Sequence, residues 1–156
     1  MSVSARHSPT LRNKLNPEKD RPFGVSTAVH WRGCWLLGLR GNELWRGLWS
    51  LPGGRVEDGE TPSRSAAREL QEETGLIVEP QVLSPFMDLD LGEGRTLGVH
   101  LWEARADELL EPEPSSDCLG ISWLTLDALL AMPESAKTPR LNEVMRAAAH
   151  HLTTHL

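Results

Sequence analysis

The chain has no tyrosine, only two phenylalanines and only two cysteines among its 156 residues. Cys34 and Cys118 stand far apart with no cysteine neighbours. That spacing excludes a disulfide framework and a thiolate metal cluster and leaves two ordinary buried thiols. No apolar run approaches the ~20 residues that a membrane-spanning helix needs. The stretch from Met1 to Arg21 is polar, holds Pro9 and Pro17, and lacks the apolar core of a secretory leader. A cytoplasmic protein with a flexible N-terminal arm and a single domain over 22–156 is therefore expected, with no membrane partner. Basic charge is also short: the net charge of −6 speaks against duplex nucleic acid as a partner. It does not exclude a nucleotide, because a bound divalent cation reverses the sign of an acidic pocket.

What is present is a regular alternation of short apolar segments. "FGVSTAVHW" and "CWLLGLR" read as strands joined by a turn at Arg32-Gly33, and "LWSLP" as a third strand stopped by Pro52-Gly53-Gly54. Thr61 is suited to cap a helix that begins at Pro62 and closes at Gly75, with Ala66, Ala67 and Leu70 on its packing side. "LIVEPQVLSPFMDLDL" and "RTLGVHLWEARA" read as strands around a Gly92-Glu93-Gly94 turn. After the polar loop "EPEPSSD" come a short strand, "ISWL", a short helix from Thr125 to Ala131 and a last helix from about Arg140 to His151. Strands broken by a helix in mid-chain indicate an α/β layered domain.

Between Gly54 and Leu76 the chain gathers Glu57, Asp58, Glu60, Glu69, Glu72 and Glu73. The last three sit at i, i+3 and i+4 of the expected helix, where side chains share a face. Like charges crowded this way repel unless something positive joins them, and a hard cation such as Mg²⁺, with its preference for oxygen ligands, is one answer. A solvated acidic face offset by Arg64 and Arg68 is the other. The neighbours favour the metal: Gly53-Gly54 allows the backbone close to a ligand, Arg68 can brace a carboxylate, and Glu60 can pair with Arg68.

Taken together this stretch resembles the Nudix box, Gly-x5-Glu-x7-Arg-Glu-U-x-Glu-Glu-x-Gly-U, with U a bulky aliphatic residue. Gly54, Glu60, Arg68, Glu69, Leu70, Glu72, Glu73, Gly75 and Leu76 fill all nine defined places. "GLWSLPGG" before the box and "WLTLDALL" near the C-terminal end are also similar to the family. The resemblance implies a Nudix hydrolase of MutT-like type: an α/β/α sandwich with a mixed β-sheet, the box forming loop–helix–loop. It further implies hydrolysis of a nucleoside diphosphate linked to another moiety, with Mg²⁺ or Mn²⁺ as cofactor. By position, Glu69, Glu72 and Glu73 with the Gly53 carbonyl would hold metal, Arg68 would orient a carboxylate, and Glu60 would support the loop. Glu69 is a candidate base. Asp117, six places before Trp123, matches a loop acid of MutT-type members and is a candidate fourth ligand or base.

For the substrate itself, Arg40, Arg46 and Trp45 are candidate contacts, the arginines through forked donation to phosphate. Trp49 and Trp123 read as structural. His150, His151 and His155 read as a solvated tail, and His30 and His100 as packed strand residues. Family members that cleave dinucleoside polyphosphates tend to carry a downstream tyrosine, and those that cleave ADP-ribose a proline near Leu89–Gly92; both are missing here. A nucleoside triphosphate or nucleotide sugar is thereby favoured, with ADP-ribose possible. The alternative is a catalytically silent Nudix-fold sensor or interaction module, and a homodimer that exchanges its arms is a further option.

Overall fold

A computed structural model describes residues 22–154; the expected N-terminal arm, Met1 to Arg21, lies outside the described residues, as does His155. Strand β1 (Gly24–Trp31) turns through Arg32 and Gly33, both at positive φ, into β2 (Cys34–Arg40). Two short strands follow, β3 (Trp49–Ser50) and β4 (Gly53–Arg55), and then helix α1 (Pro62–Thr74). The hairpin β5 (Ser84–Gly92) and β6 (Arg95–Glu103) leads to β7 (Cys118–Leu124), α2 (Leu126–Ala131) and α3 (Leu141–Thr154).

The strands form one mixed sheet in which β1 is the hub. It pairs antiparallel with β2 and β4 and parallel with β6, while β5 extends the sheet beyond β6 and β3 and β7 both join β2. Side chains alternate faces along a strand, and this alternation sorts the core into two layers. Val25, Val29 and Leu36 point to one side, where Ala66, Ala67 and Leu70 of α1 cover them. Ala28, Trp35 and Leu37 point to the other, against Leu129 of α2 and Leu141, Val144, Met145 and Ala148 of α3. The spacing in α3 is that of one helical face. The result is the expected α/β/α sandwich. Among the described residues, no helix is long and apolar enough to cross a membrane. Both cysteines are free, Cys118 buried and Cys34 half-buried rather than fully enclosed.

Several boundaries differ from the sequence-based expectation. Strand β3 ends at Ser50, before Pro52 as expected, but Gly53-Gly54 then opens a further strand, β4, whose Gly53 lies opposite Ser26. A Cβ at Gly53 would stand 2.1 Å from the Val25 carbonyl oxygen, so only glycine permits this pairing. "LIVEPQV" is not a strand. Pro80 opens a short 3₁₀ turn, and β5 starts only at Ser84, although Leu76 and Leu83 are buried beneath α1. Strand β7 begins at Cys118, three residues before Ile121. Helix α3 begins after Arg140, whose φ of 66° is non-helical, and runs on to Thr154.

Candidate active site

Helix α1 is held where its sequence places it. The Thr61 hydroxyl accepts from the Arg64 amide, and Gly75 closes the helix in the left-handed conformation at φ 77°. Its polar face turns to β4, and Arg68 is the centre of the arrangement. The guanidinium donates two bonds to Glu60, 2.8 and 3.0 Å, one to the Arg55 carbonyl at 3.0 Å, and longer ones to Glu69 at 3.2 Å and Glu72 at 3.3 Å. Ser65 Oγ and the Glu57 amide also donate to Glu60. These donors, Arg68 foremost, hold the Glu60 carboxyl down at about 2. Glu60 thus anchors the loop before α1, and Arg68 ties that loop, β4 and two further carboxylates together.

The three glutamates of the helical face are not equivalent. Glu73 reaches β4 and accepts the Gly53 amide at 3.0 Å. Burial pushes its carboxyl up to about 7, with repulsion from Glu69 and Asp117 adding to the rise and the Gly53 amide and Arg40 opposing it. Glu69 is also raised, first by burial and then by repulsion from Glu72, against the attraction of Arg68. Its carboxylate lies against the Gly54 Cα, where a Cβ would come within 2.2 Å of Oε2. Glu72 is the outer member, with 58% of its side chain exposed on Arg68. Among the described residues, no three His, Cys, Asp or Glu side chains stand close enough together to hold a metal ion in this arrangement. The donor chemistry nevertheless fits a hard divalent cation: Glu69, Glu73 and Asp117 offer oxygen alone, and burial makes the first two hold protons more tightly than usual.

The wall made by Gly53 and Gly54 faces a cavity of about 1010 Å³. Its floor is apolar, from Leu51, Leu89, Leu97, Val99, Leu141 and Val144, and Arg40, Arg55, Arg95 and Arg140 stand around it against the acids Asp90 and Glu93. A smaller crevice beside it, sharing Arg40, Ser50 and Leu51, is lined by Glu73 and Asp117. Asp117 is exposed; its carbonyl accepts the Gly41 amide at 2.9 Å.

Of the candidate substrate contacts, Arg40 and Trp45 line the cavity and Arg46 does not. Arg46 turns its guanidinium onto the Gly41 carbonyl within its own loop. Trp45 has φ 57° and is 42% exposed at the rim, with the Arg40 guanidinium 5.8 Å from its ring centre. Trp49 and Trp123 pack in the two core layers as expected. His30 pairs with Glu103 at 2.8 Å, His100 is buried, and His151 stacks on Phe86. Sequence reasoning missed Phe23, Arg55, Arg95 and Arg140, which come from four separate segments. Only Arg55, directly after Gly54, stood near a motif that could have drawn attention to it.

The NUDIX domain family model matches residues 27–147. A MutT-like protein of Streptomyces ambofaciens is 33% identical over 121 residues, covering 77% of this chain and 74% of that protein. An 8-oxo-dGTP diphosphatase of Proteus vulgaris is 56% identical over 70 residues, 44% of this chain and 62% of that protein. The same fold occurs in a bifunctional NMN adenylyltransferase/ADP ribose pyrophosphatase of Francisella tularensis, solved with AMP and a Mn ion. That structure has a TM-score of 0.73 at 21% identity, covering 91% of this chain and 44% of that one. The chain belongs to the NUDIX family. It is an enzyme of the Nudix hydrolase class, acting on phosphoric anhydrides.

Proposed function

We propose that the chain is a Mg²⁺- or Mn²⁺-dependent hydrolase that cleaves the diphosphate linkage of a nucleoside triphosphate, oxidised purine triphosphates included. The observation that carries this reading is the 3.0 Å bond from the Gly53 amide to Glu73, which fastens the carboxylate face of α1 to the wall of an arginine-rimmed cavity. Glu69, Glu72 and Glu73, with the Gly53 carbonyl and Asp117, would hold the metal. Once bound, a divalent cation neutralises phosphate charge and makes the phosphorus open to attack.

The remaining chemistry belongs to the chain's own residues. Attack of water on phosphorus forms one P–O bond, breaks the bridging P–O bond and releases a proton. Glu69, whose proton affinity burial raises against the attraction of Arg68, is the candidate to take that proton. Arg68 fixes the direction of the Glu69 carboxylate, and Glu60 fixes Arg68. Arg40 stands between cavity and crevice, where a phosphate oxygen would find its guanidinium. Trp45 at the rim offers a ring face to a base. The triphosphate reading gains support from the relative named as an 8-oxo-dGTP diphosphatase.

The test is phosphate or pyrophosphate release from nucleoside triphosphates, 8-oxo-dGTP, nucleotide sugars and ADP-ribose, each with Mg²⁺ and with chelator. Metal-dependent turnover is expected with triphosphates foremost, and Glu73→Gln should lower it by roughly 10²-fold or more. Equal rates in wild type and Glu73→Gln, or no turnover of any member of the panel, would instead assign the chain to the silent nucleotide-binding modules of this fold.

A further inference from the structure

Three residues at the end of the cavity beyond Gly54 form a constellation that the reaction as described does not use. The guanidinium of Arg55 lies 4.7 Å from the centre of the Phe23 ring and that of Arg95 lies 4.6 Å from it. The two positive charges are therefore within about 9 Å of each other on one aromatic ring. All three residues line the large cavity together with Gly53 and Gly54.

Their juxtaposition is built into the backbone. The Phe23 amide donates to the Thr96 carbonyl at 2.9 Å, and the Phe23 carbonyl accepts from the Val56 amide at 3.2 Å. Phe23 is thus stapled to the immediate neighbours of both arginines. Opposite Arg55 across the β1–β4 ladder is Gly24, where a Cβ would stand 3.0 Å from the Gly54 carbonyl oxygen, so the strands close tightly under the ring. Arg55 is also one residue from the Gly54 wall against which Glu69 packs.

Two cations held close together need an offset. The ring face supplies part of it by cation–π attraction. Among the described residues, neither guanidinium has a carboxylate within 4.0 Å, although Arg68, Arg105 and Arg140 all do. Arg40, Arg55, Arg95 and Arg140 outnumber Asp90 and Glu93 around the cavity, in a chain whose net charge is −6. Positive charge has been concentrated where the chain as a whole is negative, and Arg55 and Arg95 keep their forks free for a planar or tetrahedral oxyanion.

We propose that Phe23, Arg55 and Arg95 form a cationic clamp for the terminal phosphoryl group of a nucleoside polyphosphate. The clamp sets a preference for triphosphates over nucleotides whose second moiety is an uncharged sugar. It rests on the reading of the site as a nucleotide hydrolase, and adds the element that chooses among its substrates. Phe23 is a positioning residue whose ring both guanidinium groups pack against.

Two measurements on the full chain separate this proposal from the reading beneath it. The first is the ratio of kcat/KM for a nucleoside triphosphate to that for a nucleotide sugar, in wild type, Arg55→Gln, Arg95→Gln and the double variant. Each single variant should lower the ratio by roughly tenfold through the KM of the triphosphate, as the loss of a charge-assisted bond requires. Phe23→Leu should lower it less. The second is calorimetric binding of inorganic tripolyphosphate in metal-free buffer, expected in wild type and lost in the double variant. Circular dichroism melting confirms that the variants are folded. An unchanged ratio with unchanged tripolyphosphate binding in the folded double variant overturns the clamp. Arginine-dependent tripolyphosphate binding in a protein that hydrolyses no nucleotide would retain the clamp and remove the catalytic reading.

Discussion

Two adjacent glycines show how differently one missing side chain can act. At Gly53 an added Cβ meets the backbone carbonyl of Val25, while at Gly54 it meets only the far end of the Glu69 side chain. Gly53→Ala is therefore expected to break the β1–β4 pairing and lower the unfolding midpoint. Gly54→Ala should melt close to wild type yet lose roughly 10²-fold in turnover, because the carboxylate has to swing aside. Matching losses of stability in both variants would contradict this division. Glu73 makes a second residue-scale prediction. In the metal-free protein its carboxyl, pushed up to about 7 by burial, keeps a proton at pH values where the unfolded chain has released it from a group of ordinary value 4.5. The folded state then binds more protons than the unfolded state, so stability falls as pH rises from 4.5 through 7, by at most about 3 kcal/mol. Glu60, held at about 2 chiefly by Arg68, works the other way: its contribution is complete above 4.5 and is lost as pH falls through 2. Chelator-treated protein should melt at progressively lower temperature from pH 5 to pH 8, with a shallower slope in Glu73→Gln. Identical slopes would place the titrating group elsewhere.

Among the elements, helix α1 was the most legible from the sequence, and for local reasons. Its cap at Thr61, its start at Pro62 and its stop at Gly75 are chemistry that acts within one turn, so no tertiary context could override it. Thr61→Ala should cost about 1 kcal/mol of stability, readable by denaturant titration. A loss below a few tenths would mean that the loop fastened by Glu60 and Arg68 holds the helix end unaided. The elements that were misread share an opposite cause. Strand β4 exists because β1 offers it a partner, and nothing within "PGGR" announces that partner. "LIVEPQV" is apolar enough for a strand, but its one leucine, Leu76, is buried with the residues of α1 while Pro80 withholds a ladder donor. The site divides in the same way. Glu60, Arg68, Glu69 and Glu73 were legible because one short segment carries them. Phe23, Arg55, Arg95 and Arg140 were not, because only the folded sheet brings them around one cavity.

At the scale of the whole molecule, the two core layers meet on opposite faces of a sheet whose centre is a single strand. Every catalytic candidate of the box hangs from that centre, since β4 is held by β1 and α1 packs upon both. This dependence has a bearing on how the chain comes to be folded. β1 serves three neighbours, and its parallel one, with Gly24 beside Leu97, is supplied late in the sequence. During synthesis, the flank of β1 that will receive β6 stays unclaimed while the hairpin to β2 and the whole box are already made. Long-range pairing of this kind is slow to close. A nascent chain halted before Leu97 would expose an apolar ribbon to any passing strand, so for this protein the hazard of misassembly is greatest midway through translation.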